Sequence, residues 1–223
     1  MLEDIGKLWA RYGPLYMEGL WGTLWMSLLT VLVATVIGTA VALIRNARFR
    51  PTRFLMKCYI EVVRGTPILL QLYFFWLFLP KIMPFEVSDT VSIVTALIFN
   101  SGAYVAEVVR AGIQAVDHGQ TEAGLSLGLG RWHLFSRIIY PQALKNILPA
   151  LGNEFIMMIK ETSLASVFFV SELTTSYKTV QSVTFKSIPS LTIAGVIYFA
   201  MTFLLTRLLG ILERRMKSNE RKA

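Results

Sequence analysis

The strongest constraint in this chain is a run of 25 residues, Leu20 to Ile44, without a single charge. A helix needs about 20 mainly apolar residues to cross the hydrocarbon of a bilayer. A second charge-free run of 20 residues extends from Ser187 to Thr206. The composition agrees. Only 16% of the 223 residues are charged, against roughly a quarter in soluble domains. With 54% apolar residues and a mean hydropathy of +0.55, a soluble domain of this size has too little core to hide its greasy surface. A soluble enzyme, a disordered regulator and a secreted disulfide scaffold are all disfavoured. Cys58 is the only cysteine, so no intrachain disulfide forms.

Three less clean segments lie between the two runs. Gly65 to Pro80 is uncharged and extends backward through Cys58 to Arg64. Thr90 to Ala106 is uncharged up to Glu107. Ile147 to Ser171 contains Glu154, Lys160 and Glu161. The expectation is an all-α polytopic membrane protein, a single domain over 1–223, with spans at about 20–44, 58–80, 89–110, 147–171 and 188–210. The first span is too long for a cleaved signal peptide, and Glu3 and Asp4 precede it instead of a basic start; it is expected to stay as an anchor. Ala34, Gly38 and Ala42 recur every four residues within it. That stripe suits close helix packing; incidental filler is the alternative.

Basic residues set the orientation, because cytoplasmic loops keep the positive excess. Arg45, Arg48, Arg50, Arg53 and Lys57 lie between the first two spans. Arg110, Arg131, Arg137 and Lys145 lie between the third and fourth, and Arg207, Arg214, Arg215, Lys217, Arg221 and Lys222 in the tail. The opposite side holds only Lys7, Arg11, Lys81, Lys178 and Lys186. This split places the N-terminus outside and the C-terminus in the cytoplasm, as an odd number of spans requires. Topology thus accounts for the net charge of +8 without nucleic acid.

The segment 114–146 is far longer than a connection needs. It is expected to form two short helices: Thr121, Glu122 and Ala123 open the first, Gly128 and Gly130 break it, Trp132 to Ile139 form the second, and Pro141 ends or kinks that second helix. Trp132, Leu134 and Phe135 are too apolar for a free loop and suit a membrane surface or a groove on a partner.

Glu122-Ala123-Gly124, then Gly128, Ile138 and Pro141, have the spacing of the EAA loop of ATP-binding cassette importer permeases, with Gly124 for the second alanine and Tyr140 for the leucine. Further matches are Tyr59 to Pro67, Ala103-Tyr104 with Glu107 and Arg110 to Ile113, and Lys160 to Leu164. Over about residues 15–215 the chain resembles the polar amino acid permeases of such importers, the histidine, glutamine, arginine and glutamate type. The resemblance implies a bacterial inner-membrane subunit that moves a polar amino acid by alternating access. It also implies three kinds of partner besides membrane lipid: P-loop ATPase subunits carrying ATP and Mg, an extracytoplasmic amino-acid-binding protein, and a second permease subunit in a homodimer or homologous heterodimer. The loop residues Glu122, Ala123, Gly124, Gly128, Leu134 and Pro141 are then the coupling element that docks on the ATPase. A glycine break suits a short stiff lever, and Glu122 near a helix start is favoured by the dipole. Capping of its own helix is the bland alternative for Glu122.

Ionisable and polar side chains inside spans face partners or a water-filled path. Glu61 and Arg64 are three apart and can pair on one helix face, next to Gly65 and Pro67, where the helix can bend. They and Glu107 are candidates for a structural pair or gate. Gln71, Asn100, Tyr104, Glu154, Lys160, Glu161, Thr162 and Ser163 can line a path for a zwitterion, or bond helix to helix. Met157, Met158 and the run Tyr73 to Trp76 suit packing or lipid.

The chain has no G-x-x-x-x-G-K-S/T phosphate loop. His118 and His133 stand too far apart, with no cysteine pair, to suggest a metal site, and no catalytic constellation is readable. No cofactor on this chain and no enzymatic activity are expected. An ion-coupled secondary transporter is the alternative, but it would commonly show internal repeats. A membrane-embedded enzyme lacks a site, and a simple anchor leaves the inner loop without a use.

Overall fold

The computed structural model describes residues 1–45 and 49–220, with side chains through 216. Arg48, Arg221, Lys222 and the side chain of Lys217, four of the basic residues used for orientation, lie outside the described residues. Helix α1 (Leu2–Arg45) is followed by α2 (Arg50–Gly65), α3 (Ile68–Ile82), α4 (Asp89–Gln114), α5 (His118–Ser126) and α6 (Arg131–Leu134). A π turn (Phe135–Ile139) leads into α7 (Tyr140–Glu161). A 3-10 turn (Thr162–Phe168), α8 (Leu173–Thr184) and α9 (Ser187–Glu220) complete the order. No strand occurs among the described residues.

α1 is the axis of the bundle and begins 18 residues before the apolar run, with Glu3 and Asp4 in its first turn. Acidic side chains there favour the positive end of the helix. Its small-residue stripe packs on α4. Ala34, Gly38 and Ala42 are buried, and a Cβ on Gly38 would come within 2.8 Å of the Gly102 carbonyl oxygen and of Val105. The stripe is therefore a helix–helix contact. Around it Val41, Ile60, Val63, Ala106, Val109 and Ile147 form one apolar cluster. A second unites Met26, Leu72, Ile93, Leu97, Met158 and Phe168, and a third Leu8, Tyr16, Leu173, Val180, Ile193 and Met201.

Among the described residues three helices, α1, α4 and α9, are long and apolar enough to cross a membrane; the bent pair α2–α3 makes a fourth if it is one span. The segment at 58–80 is not a continuous helix. α2 and α3 meet at 111°. Pro67 lacks an amide hydrogen and forces Thr66 into an extended conformation (φ −117°, ψ 146°). The segment at 147–171 also differs from a single helix, since α7 ends at Glu161. There the Thr162 hydroxyl donates to the Ile159 carbonyl and the Ser163 hydroxyl to Lys160. Such local side-chain bonds compete with the α ladder, and the chain tightens to 3-10 before Phe169 turns left-handed at φ 56°.

Candidate functional site

The loop expected to dock on a partner is a compact helical lever. The Asp117 carboxylate accepts from the Gly119 amide at 2.6 Å and starts α5 at His118, three residues before the expected start at Thr121. Glu122 therefore does not cap this helix: it sits mid-helix, exposed beside Ala123. The stop is a Schellman turn. Leu129 N donates to the Gly124 carbonyl at 3.1 Å and Gly128 N to Leu125 at 2.9 Å. Gly128 has φ +77°, and nothing lies within 4 Å of the Cβ it lacks. Its glycine is required by conformation rather than space. Leu134, only 5% exposed, packs its end methyl against Gly124, 2.5 Å from where a Cβ would stand, and braces α6 on α5; an alanine at 124 would require that side chain to shift.

Pro141 does not end the second helix of the loop. The Tyr140 amide donates to the Phe135 carbonyl, a wide i→i−5 turn. That turn gives a proline with no amide hydrogen its place at the start of α7, so the helix continues to Glu161. Asn146 Nδ2 donates to the Gly112 carbonyl at 3.4 Å and ties the returning strut to α4. The tip is apolar and uncovered: Leu127 is 81% and Trp132 74% exposed, with Leu125 and Leu129 beside them.

Next to the lever, Glu107 bonds to Arg45 of α1 and, at 2.6 and 2.8 Å, to Arg110, which also bonds to Gln114. Glu107 thus locks α1 to the end of α4. The expected Glu61–Arg64 pair does not form. Glu61 faces Lys57 one turn back at 3.6 Å, and the Arg64 guanidinium lies 5.3 Å from the Tyr104 ring centroid. Arg64 occupies the last turn of α2, where Gly65 ends the helix and the side chain meets α4 instead of its own helix.

The polar residues of the inner segments fall into two groups. Gln71 and Asn100 bond to each other at 2.9 Å, and Glu154 accepts from Ser101 at 2.7 Å; with Thr162 these are buried helix-to-helix bonds or turn closures. Lys160 and Ser163 line an open recess of about 210 Å³ with Tyr198, Phe199 and Thr202 of α9. Glu161 is half-buried nearby.

Glu172 was not evident from sequence. Fully buried, it accepts from the Thr174 and Thr175 amides at 2.7 and 2.6 Å and from the Tyr198 hydroxyl at 2.9 Å, joining α8 to α9. An acidic residue directly before Leu173-Thr174-Thr175 is the N-cap signal that could have revealed α8.

Such a bundle of long apolar helices, with polar side chains bonded to one another inside it and an exposed helical loop, defines an integral membrane protein. Residues 34–218 match the family described as the binding-protein-dependent transport system inner membrane component. The chain is 39% identical to the glutamine transport system permease protein GlnP of Escherichia coli (strain K12), covering 97% of this chain and 99% of that protein. It is 35% identical to the arginine transport system permease protein ArtQ of Bacillus subtilis (strain 168), covering 93% and 94%. A solved amino acid ABC transporter with histidines superposes with a TM-score of 0.88 at 42% identity, over 92% of this chain and 96% of that one. The chain belongs to this family of inner membrane transport components, and as a member it is a multi-pass transport subunit.

Proposed function

We propose that this chain is the permease subunit of an ATP-binding cassette importer that carries a polar amino acid across the bacterial inner membrane by alternating access. The observation that carries the reading is the lever at 114–146. A Schellman-capped helix, braced by Leu134 on Gly124, presents Leu125, Leu127 and Trp132 to a partner. Apolar side chains this exposed at a helix tip suit burial in a groove. Hydrolysis of ATP with Mg belongs to a separate P-loop subunit, and Glu122 with Ala123 forms the docking face.

Five spans complete the reading, within one transmembrane domain over 1–223: α1, the bent α2–α3, α4, α7 with its 3-10 turn, and α9. α7 carries Glu154, Lys160 and Glu161 on surfaces shielded by its neighbours and by a second permease copy, identical or homologous. The N-terminus lies outside, where an amino-acid-binding protein delivers substrate, and the C-terminus lies in the cytoplasm. Relatives named for arginine and glutamine support a polar amino acid as cargo. Lys160, Glu161, Ser163 and Tyr104, at least partly exposed, are the side chains that meet it; Gln71, Asn100, Glu154 and Thr162 hold the path in shape.

Purification from the native membrane tests this reading. A P-loop ATPase should co-purify, and amino acid uptake in reconstituted vesicles should vanish when that ATPase is inactivated. Uptake that persists on an ion gradient alone would establish an ion-coupled secondary transporter instead.

A further inference from the structure

The geometry points to a binding site for the phosphate of an anionic phospholipid on α2. Beside the Arg45–Glu107–Arg110 lock lies an open cavity of about 480 Å³, lined by Arg45, Arg50, Arg53, Phe54, Lys57 and Arg110, with Gln114 at its edge. No acidic side chain lines it among the described residues. Glu107 accounts for Arg45 and Arg110, and Glu61 lies against Lys57. Arg50 and Arg53 have no ion-pair or hydrogen-bond partner for their guanidinium groups among the described residues.

Their position is electrostatically unfavourable without an anion. Both sit in the first turn of α2, which contains no acidic residue, and the N-cap Phe49 offers no side-chain bond. Cations at the positive end of a helix repel its dipole, whereas a phosphate there meets the dipole and two arginines together.

The surroundings select a lipid over a soluble phosphate. α2 meets α3 at 111°, so where α3 crosses the bilayer α2 lies close to its plane. Phe49, Phe54, Leu55 and Val62 of this region are each at least 60% exposed. A helix that is basic on one side and bears bulky apolar groups on another is built for the membrane interface. Basic pockets at that depth attract anionic headgroups, each basic residue strengthening association about fivefold.

The intact transporter in nanodiscs containing phosphatidylglycerol provides the test, with bound lipid counted by native mass spectrometry. The wild-type protein should retain one tightly held anionic lipid per permease chain. Arg50→Gln/Arg53→Gln should lose it, with affinity falling about 25-fold by the fivefold step per residue; Arg11→Gln, at the opposite end of the fold, should not. Millimolar inorganic phosphate should leave the lipid in place; displacement by it would assign the cavity to a free anion and overturn the proposal, as would unchanged retention in the double variant. A second probe avoids any loss of assembly: a photoreactive benzoylphenylalanine at Phe54 should give a lipid-mass adduct. An adduct to the ATPase or to a second permease copy would overturn the site. The site rests on α2–α3 being embedded as proposed above. Absence of any lipid from this face together with absence of a co-purifying ATPase would sink that reading, whereas loss of the lipid alone would sink only this one.

Discussion

Gln71, in the first turn of α3, donates its Nε2 to the Val63 carbonyl of α2 across 2.8 Å and so bridges the break between the two helices. The same nitrogen reaches the Thr66 hydroxyl at 2.8 Å, and its amide oxygen accepts from Asn100 at 2.9 Å. One side chain therefore satisfies a carbonyl released by Pro67 and ties the bend to α4. Away from water, such groups must be satisfied within the protein.

Gln71→Leu removes those partners while keeping the volume. Each buried group left unsatisfied costs about 1–3 kcal/mol, so the detergent-solubilised transporter should melt at a clearly lower temperature. Asn100→Ala should be partly redundant with it, giving a coupling of about 0.5–3 kcal/mol in a double-mutant cycle. Strictly additive effects would show that the two amides act independently.

Gly128 separates conformation from size. At φ +77° with open space around it, Gly128→Asn should be tolerated better than Gly128→Ala, although asparagine is larger. Alanine should cost about 1 kcal/mol or more at the lever and lower coupled uptake with little change in membrane insertion. Uptake that tracks side-chain volume instead would disprove the conformational account.

Leu127 tests the docking tip. It is 81% exposed and supports nothing within its own chain. Leu127→Asp should leave the melting temperature of the isolated permease within the usual range for surface changes, about ±0.5 kcal/mol, yet weaken ATPase retention in a pull-down. Full retention would move the docking surface elsewhere on the loop.

The tip, like the long apolar runs, was visible in the sequence because charge-free length and exposed hydrophobics are local signals. Helices around 20–44 and 187–206 are dictated by the absence of charge, and the site of the α2–α3 bend by Gly65-Thr66-Pro67. The bend angle depends on Gln71 meeting Asn100, 29 residues away, and no local pattern encodes it. Helix α8 escaped because Thr174, Thr175, Ser176, Thr179, Ser182 and Thr184 are weak helix formers; burial of Leu173 and Val180 and the Glu172 cap override that preference. Arg45 and Glu107 are 62 positions apart, so helical periodicity points Glu107 only to Arg110, three residues on. Glu61 and Arg64 carry the same i,i+3 spacing, yet Arg64 prefers the ring of Tyr104.

Gly19 reports on the contact between α1 and α8. A Cβ there would stand 2.9 Å from both the Glu172 carbonyl oxygen and the Leu173 Cα, backbone atoms that cannot step aside. Gly19→Ala should destabilise by about 1–3 kcal/mol through overpacking. Gly195→Ala, inside α9 with nothing within 4 Å, should instead be neutral or stabilising by up to about 1 kcal/mol. Equal melting temperatures for the two variants would mean that α8 yields at this contact.

Two carboxylates near the basic end of the fold separate a structural ion pair from a solvated one. Glu107 is 16% exposed and held by Arg45 and Arg110, themselves only 25% and 31% exposed. Glu61 and Lys57 are 64% and 57% exposed at 3.6 Å. Glu107→Gln leaves two guanidinium groups facing each other without a counter-charge. Charge-assisted bonds of this kind are worth about 1.5–3 kcal/mol, and the loss should be largest at low salt, where repulsion between the arginines is least screened. Glu61→Gln should cost about 0–1 kcal/mol, as exposed pairs do. Melting curves at low and high ionic strength decide the point: a larger shift for Glu61→Gln than for Glu107→Gln would remove Glu107 from its place as the lock between α1 and α4.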